Sequence, residues 1–523
     1  MKKYTLTLLF LLLTFHGFGQ KYANNAVSAA HPLAVEAGKL MYQQGGNAYD
    51  AAVATAFALA VVEPSMSGLG GRLQAIYQTS DGLTLGIDAS TEVPSQYKST
   101  PEKYSEGYET IGIPGVVRGL EKLHQGNGVL PWKTLLEPAI NYAKNGYEIL
   151  PGEAARQAAA KSSIEKYPGT KQNFLTSNNQ AYTAGSRVVQ KDLARTLEII
   201  ARQGADGFYT GRIARTIAKD MKKNNHMLSF LDLKNYRALD LKVLEGSFRG
   251  HTIKSLYLPS YGAITIQILQ IADHFKKPTD NTEWTNQLGH ASEMGYRYRN
   301  YQQIPDSLAS ILSREKAAFW AQQGKLIGLN ELPDNTTGES SAAQGHTTHL
   351  TTADQWGNVV SLTQTLGPNL GSRVVTPGLG FLYAVTLGGY LGEYKPGDRA
   401  QSHISPTLVE KDGEIRLALG AAGGNKIVIA VAQVISRYVD QGYSLNESLA
   451  LPRVYPNGNR WQIENHDGIF NRLGSGDQLW KSAELTDQKA YFGRVHAVAL
   501  DKKTNRWIAS ADPDWEGTTA IID

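Results

Sequence analysis

Two runs of β-branched residues joined by a short turn constrain the architecture of this chain more than any other feature. Thr347-Thr348-His349-Leu350-Thr351-Thr352-Ala353-Asp354 is followed by Gln355-Trp356-Gly357, then by Asn358-Val359-Val360-Ser361-Leu362-Thr363-Gln364-Thr365. Two such runs joined by three residues ending in Gly predict a β-hairpin, with Gly357 at the left-handed position. Closing the loop between Asp354 and Asn358 sets Thr347 opposite Thr365. Opposed residues share a face, with β-carbons roughly 4.5–5.5 Å apart. A one-residue bulge inside the ladder would break that pairing.

The residues before the hairpin are of another kind. Leu329–Gly345 is rich in Asn, Asp, Thr, Gly, Ser and Ala without an apolar period, and reads as a loose linker. A threonine that opens a strand after such a linker has a chemical use. A Thr hydroxyl is a poor nucleophile until a base takes its proton. Cleavage before Thr347 would free an α-amino group, reference pKa about 7.7–8.0, to serve as that base. The same hydroxyl could make the cut by attacking the His346 carbonyl. The plain alternative is an ordinary threonine-rich strand. A rival cleavage point, Thr336, lies in the linker but leads into no strand.

Around this hairpin the periodicity predicts helices over Leu33–Gln44, from Asn47 or Asp50 to Val62, and over Pro138–Asn145, Lys191–Gln203, Ile213–Asn224, Tyr261–Phe275, Trp284–Tyr301 and Ile427–Asp440. Strands are expected at Leu73–Thr79, Thr84–Asp88, Pro406–Glu410, Ile415–Leu419, Arg494–Leu500 and Trp507–Ala511. The pattern suggests a mostly helical first part and a strand-rich second part. Strand Ile415–Leu419 runs into Gly420-Ala421-Ala422-Gly423-Gly424-Asn425 and then the helix from Ile427. Glycines there let backbone N–H groups face a ligand at a helix N-terminus, a candidate oxyanion hole. Ile427 after Lys426 excludes a P-loop.

Composition narrows the chemistry. The chain has no cysteine, so disulfides, thiol nucleophiles and thiolate metal sites are excluded. A formal net charge of +4, without basic runs interleaved with aromatics, argues against nucleic acid. The 12 histidines show no HExxH or paired metal-ligand spacing, which makes a metallohydrolase a weak reading. No cofactor or metal is called for. At the N-terminus, Lys2 and Lys3 precede an apolar run, Leu6 to Phe15, ending in His16-Gly17-Phe18-Gly19-Gln20. That is the form of a secretory signal peptide over residues 1–20, predicting a periplasmic or secreted protein with no membrane attachment once it is removed. A buried N-terminal helix is the alternative.

Taken together, these residues resemble the γ-glutamyltranspeptidase family of N-terminal-nucleophile hydrolases. The resemblance is carried by Gln44-Gly45-Gly46-Asn47-Ala48-Tyr49-Asp50-Ala51-Ala52, Val62-Glu63-Pro64, Ser67-Gly68-Leu69-Gly70-Gly71, Ile113-Pro114-Gly115, Pro259-Ser260-Tyr261-Gly262, Thr347-Thr348-His349, Ser405-Pro406-Thr407, Gly423-Gly424 and Ala511-Asp512-Pro513. It implies an α+β fold, a four-layer αββα sandwich, made as a precursor and cut into a heavy region, 21–346, and a light region, 347–523, that stay associated. It also implies Thr347 as nucleophile and N-terminal base, Thr365 as the threonine that orients it, and Gly423 and Gly424 as oxyanion donors. Ser402 and His403 stand where a serine pair contacts the substrate, and His403 departs from that pattern. The implied substrate is a small-molecule or peptide amide, with glutathione-type γ-glutamyl compounds as the family's own.

Two departures bear on that substrate. The segment expected to read Asp-x-Arg-Glu, whose Arg holds the glutamyl carboxylate, reads Asp88-Ala89-Ser90-Thr91-Glu92. The loop Leu382-Tyr383-Ala384-Val385-Thr386-Leu387-Gly388 lacks the expected carboxylate, and Gly367 replaces a polar residue. Losing such a clamp removes charge-assisted hydrogen bonds. Arg72, in the neighbouring glycine turn, is a candidate substitute. A less polar acyl group, suited to Tyr383, and an uncut, non-catalytic binding relative are the other readings.

Overall fold

The structure is a computed structural model that describes residues 21–323, 346–389, 393–457, 460–465, 479, 483–486 and 491–523. Residues 1–20, read above as a signal peptide, and the linker through residue 345, with Thr336, lie outside the described residues.

Two antiparallel sheets face each other and helices cover both outer faces. The first sheet has seven strands in the order Thr518–Ile522, Asn25–Ala29, His346–Ala353, Val359–Gly367, Arg72–Gln78, Thr84–Ala89, Leu239–Asp240. The second has six, Arg506–Ala511, Arg494–Asp501, Glu414–Ala422, Thr407–Lys411, His251–Leu256, Val243–Phe248. Alternation along each strand assigns the layers. Leu73, Ala75, Leu350, Val360 and Leu362 turn outward into a core with the helices Pro32–Gln43, Ala48–Val62 and Lys191–Gln203. Leu417, Leu419, Val495 and Ala497 turn the other way, into a core with Gly262–Ala272, Asn281–Arg297 and Ile427–Ser436. Between the sheets lie Ile76, Val359, Leu408, Ala418, Val498 and Trp507. This is the αββα sandwich.

Helix Ala48–Val62 explains how closely the outer layer packs. All fifteen of its residues are buried, and its Asn47 cap accepts from Tyr49 N and Asp50 N while Asp50 returns a bond to Asn47 N. Small side chains on every face let it sit tightly against the first sheet. No helix among the described residues is long and apolar enough to cross a membrane.

The structure corrects several sequence expectations. Pro138 does not begin its helix. That helix spans Trp132–Asn145 with Pro138 inside, held by burial of Leu135, Leu136, Ala139 and Ala143, which offsets the lost backbone bond. The expected Trp284–Tyr301 helix is Asn281–Arg297, started by the Asp280 side chain accepting from Glu283 N, and a 3₁₀ turn, Arg299–Gln303, follows. Among the described residues the first part is mostly helical and the second strand-rich, as expected, but the two are not separate units. Strands from residues 25–240 and 346–522 are intermixed within one sheet. Asn25–Ala29 and Thr518–Ile522 pair from opposite ends of the chain, Asn25 against Ile522.

Candidate active site

The hairpin has the expected register. Thr347 pairs with Thr365, and the turn is closed by Asp354 N donating to Asn358 O at 3.0 Å, with Gly357 at φ 96°. The Asp354 carboxylate fixes the turn further, accepting from Trp356 N, Asn358 N and Ala48 N at 2.9–3.0 Å. A bulge does occur, but beyond the pair: Gly367 faces His346, and the register shifts between Thr365 and Gly367. Its effect is local and useful. It turns the Gly367 N–H onto Thr365 Oγ1 at 2.9 Å.

Thr365 therefore has a full set of hydrogen bonds. Its hydroxyl accepts from Gly367 N and from Thr347 Oγ1 at 3.1 Å, and donates to the His346 carbonyl at 2.7 Å. Thr347 and Thr365 are both buried, so water does not compete for these bonds. The peptide joining His346 to Thr347 is thus gripped at its carbonyl by the hydroxyl that also contacts Thr347.

Sheet register extends the row. Arg72 pairs with Thr365, which places Thr347, Thr365 and Arg72 on one face in three adjacent strands. Arg72 is fully buried, with Nη2 donating to Val385 O at 3.0 Å. Its positive charge also acts on the Tyr394 phenol, whose oxygen accepts from Gln401 N at 3.1 Å. Arg72 is thereby linked to the segment that carries Ser402 and His403.

Ser402 is held through its backbone, Ser402 N donating to Pro259 O at 2.9 Å. The His403 ring lies 4.5 Å from Tyr261 and hydrogen-bonds the Tyr296 hydroxyl at 2.9 Å. Burial, helped by Arg299, lowers its pKa to about 3. At neutral pH it is an uncharged imidazole.

The second glycine turn begins where Glu414–Ala422 ends. Gly423 has φ 143° and Gly424 φ 61°, and a Cβ on Gly423 would meet Gly493 Cα at 2.7 Å. A 3₁₀ turn over Gly424–Lys426 precedes the helix from Ile427. A series of contacts leads the threonine strand toward this turn. Thr351 Oγ1 donates to His496 O, the His349 ring packs on Gly420, and His346 lies within the electrostatic reach of Arg494, which pairs with Ala422.

Two residues depart from expectation. Tyr383 does not face a substrate: it is fully buried beside Phe381, and its hydroxyl bonds Thr376 at 2.8 Å. The Asp88–Glu92 segment, which lacks its own arginine, receives one from a distance. Arg399 bonds Asp88 Oδ2 at 3.3 Å and Glu92 Oε2 at 3.1 Å, and packs over the Tyr236 ring. No sequence spacing connects residue 399 with residue 88, so no motif could have revealed the pair.

The family model described as Gamma-glutamyltranspeptidase matches residues 34–522. The chain belongs to the γ-glutamyltranspeptidase family. It is similar to a protein of Bacillus subtilis (strain 168) named glutathione hydrolase proenzyme, 31% identical over 95% of this chain and 91% of that one. It is also similar to the capsule biosynthesis protein CapD proenzyme of Bacillus anthracis, 30% identical over 94% and 90%. The solved structure of a cephalosporin acylase from Bacillus halodurans superposes with a TM-score of 0.83, at 25% identity and 95% and 96% coverage. Like its γ-glutamyltranspeptidase relatives, the protein is a hydrolase and acyltransferase. The proenzyme names and the threonine hairpin agree on a precursor that processes itself.

Proposed function

We propose that this γ-glutamyltranspeptidase-family protein cleaves itself between His346 and Thr347, then uses Thr347 to transfer a carboxylate-bearing acyl group from an amide to water or an amine. The hydrogen bond from Thr365 to the His346 carbonyl carries the reading. In the precursor, Thr347 Oγ attacks that carbonyl carbon while its proton passes to Thr365 Oγ and the Thr365 proton passes to the carbonyl oxygen. Collapse of the tetrahedral carbon passes the hydroxyl proton to the departing nitrogen, breaks the C–N bond, and leaves an ester on Thr347 Oγ beside a free α-amino group. Water hydrolyses the ester to the His346 carboxylate and the free Thr347 hydroxyl.

In the mature enzyme that amino group takes the Thr347 hydroxyl proton as the oxygen attacks the substrate carbonyl. The N–H groups at Gly423 and Gly424 receive the developing negative charge. The proton returns to the leaving amine, and water or an acceptor amine releases the acyl group. Arg72, in one row with both threonines, holds the acyl carboxylate, and Ser402 and His403 are the further substrate contacts that the family pattern assigns. The relative named glutathione hydrolase supports a γ-glutamyl group as one such acyl group.

The heavy region, 21–346, and the light region, 347–523, remain together because Asn25–Ala29 lies between two strands of the light region, Thr518–Ile522 and His346–Ala353. The apolar run in residues 1–20 supports export to the periplasm or medium. Fractionation of cells with and without residues 1–20 tests that part. Gel analysis and N-terminal sequencing of the purified protein beside Thr347→Ala test the main reading. Two bands, one beginning at Thr347, and an uncut variant are expected. A single full-length wild-type band overturns the proposal.

A further inference from the structure

Helix Arg212–Lys223, in the outer layer over the first sheet, separates its residues by chemistry. Ile213, Ala214, Ile217 and Met221 are buried in the outer core. Arg212, Arg215, Lys219, Lys222 and Lys223 are exposed and fall within an arc of about 100° on the opposite side. The wider segment 202–237 carries eight Lys and Arg against three Asp, a larger surplus of cations than the +4 of the whole chain. Those three carboxylates are already engaged: Asp206 by Arg118, Asp220 by Tyr108 and Thr376, and Asp232 by Ser229 and Ser95. The five helix cations form no ion pair among the described residues.

Large apolar side chains stand in water beside these charges. Met227 is 38% exposed and Leu231 is 59% exposed. Leu231 and Lys234 are three residues apart on helix Phe230–Asn235 and share its exposed face. That helix is tied to the basic one by Arg215, whose guanidinium lies 5.8 Å from the Phe230 ring centre. Lys234 and Arg237 in turn line a cavity of about 500 Å³ that reaches Thr210, two residues before Arg212. The carboxylates of that cavity, Glu121 and Asp206, are both paired with Arg118 and leave Lys234 and Arg237 uncompensated there.

We propose that this face docks the folded protein peripherally on an anionic phospholipid bilayer. The helix cations meet headgroup phosphates, Lys234 and Arg237 receive a headgroup in the cavity, and Met227 and Leu231 enter the acyl boundary. Charge alone would suit any polyanion. Exposed Met and Leu among the cations favour a bilayer, because there the apolar groups leave water while the cations stay at the phosphates. The contact is made by side chains of the folded protein and needs no spanning helix; none is present among the described residues. It is independent of self-cleavage and of the acyl group transferred.

The experiment is co-sedimentation of the purified protein with vesicles of phosphatidylcholine alone, and with vesicles of equal parts phosphatidylcholine and phosphatidylglycerol. Binding is expected on the anionic vesicles only. It should be lost at about 1 M salt, where the Debye length shrinks from about 10 Å to about 3 Å. Each Lys or Arg near an anionic surface contributes on the order of five-fold in affinity, so Arg212→Gln, Lys219→Gln and Lys222→Gln together should weaken binding roughly 100-fold. Met227→Gln with Leu231→Gln should weaken it roughly 10-fold. Both variants should keep the wild-type melting temperature and the wild-type turnover of a soluble acyl anilide. Wild type and variants share one N-terminus, so a difference between them reports this face and not residues 1–20. Equal binding to both vesicle types, or none to either, would overturn the inference, as would wild-type affinity in the triple variant. Unchanged vesicle binding by the Met227 and Leu231 variant, with soluble poly-glutamate displacing the wild type, would assign the face to acidic polymers and overturn the bilayer reading.

Discussion

The Thr365 hydroxyl donates to the carbonyl oxygen of His346 at 2.7 Å. The donor is aimed at the atom where negative charge develops as Thr347 attacks, and it is already in place before reaction. Removal of one such preorganised donor costs roughly 100- to 1,000-fold in rate. Thr365→Val keeps the shape and removes the hydroxyl, so the precursor should persist with processing slowed by that factor. Thr365→Ser should process nearly normally. A time course of band intensities on a gel decides it, and rapid cleavage of the Val variant would refute the assigned role.

Arg72 offers a test of the substrate class. Arg72→Lys keeps the charge but gives up the planar fork, and Arg72→Met gives up both. A hydrogen bond to a charged group contributes about 1.5–3 kcal/mol, so Arg72→Met should lower kcat/KM for carboxylate-bearing acyl anilides by roughly 10- to 100-fold. Acyl anilides without the carboxylate should be little affected. Equal losses on both substrate sets would show that Arg72 supports the fold and not the acyl group.

Gly423 is predicted to tolerate no side chain. At φ 143° an L-residue is strained, and the added Cβ would stand 2.7 Å from Gly493 Cα, which is backbone and cannot swing aside. The strain costs of order 1–3 kcal/mol and displaces the N–H groups of the turn. Gly423→Ala should therefore lower both the melting temperature and kcat. Wild-type kinetics in a stable Gly423→Ala protein would remove this turn from the mechanism.

Acid should destabilise the protein from an unusually high pH. Burial, with nearby arginines in most cases, lowers His31, His346, His403 and His496 to about 3, and burial lowers His226 to about 4. In the unfolded chain these groups bind protons near pH 6.5, whereas the folded chain refuses them until pH 3–4. The unfolded state thus binds more protons across that window, and stability falls as pH drops through it. Melting curves of Thr347→Ala between pH 7 and pH 4.5 should show a progressive decline beginning near pH 6.5. A flat profile would contradict buried neutral imidazoles.

Much of the candidate site was legible in the sequence because local rules govern it. Hairpin loop length and Gly357 determined that Thr347 meets Thr365, and the run Gly423-Gly424 after a strand announced a turn with special backbone angles. The one danger, a bulge, was visible only as a possibility. Its position after Thr365, not before, depends on how Leu366 and Gly367 pack, with Leu366 N bonded to Met66 O. Tyr383 misled the reading because aromatic burial and substrate contact look the same in a sequence.

By itself, then, the sequence determined the hairpin, its register, the glycine turn and the family, since each depends on residues close together or in a fixed order. Only the tertiary structure decided what surrounds the scissile peptide. Arg72 joins the threonine row through strand pairing across nearly 300 residues, and Arg399 reaches Asp88 and Glu92. Contacts of that kind arise from the order of strands in a sheet and the stacking of layers. The burial that gives them their strength exists only after the chain has folded.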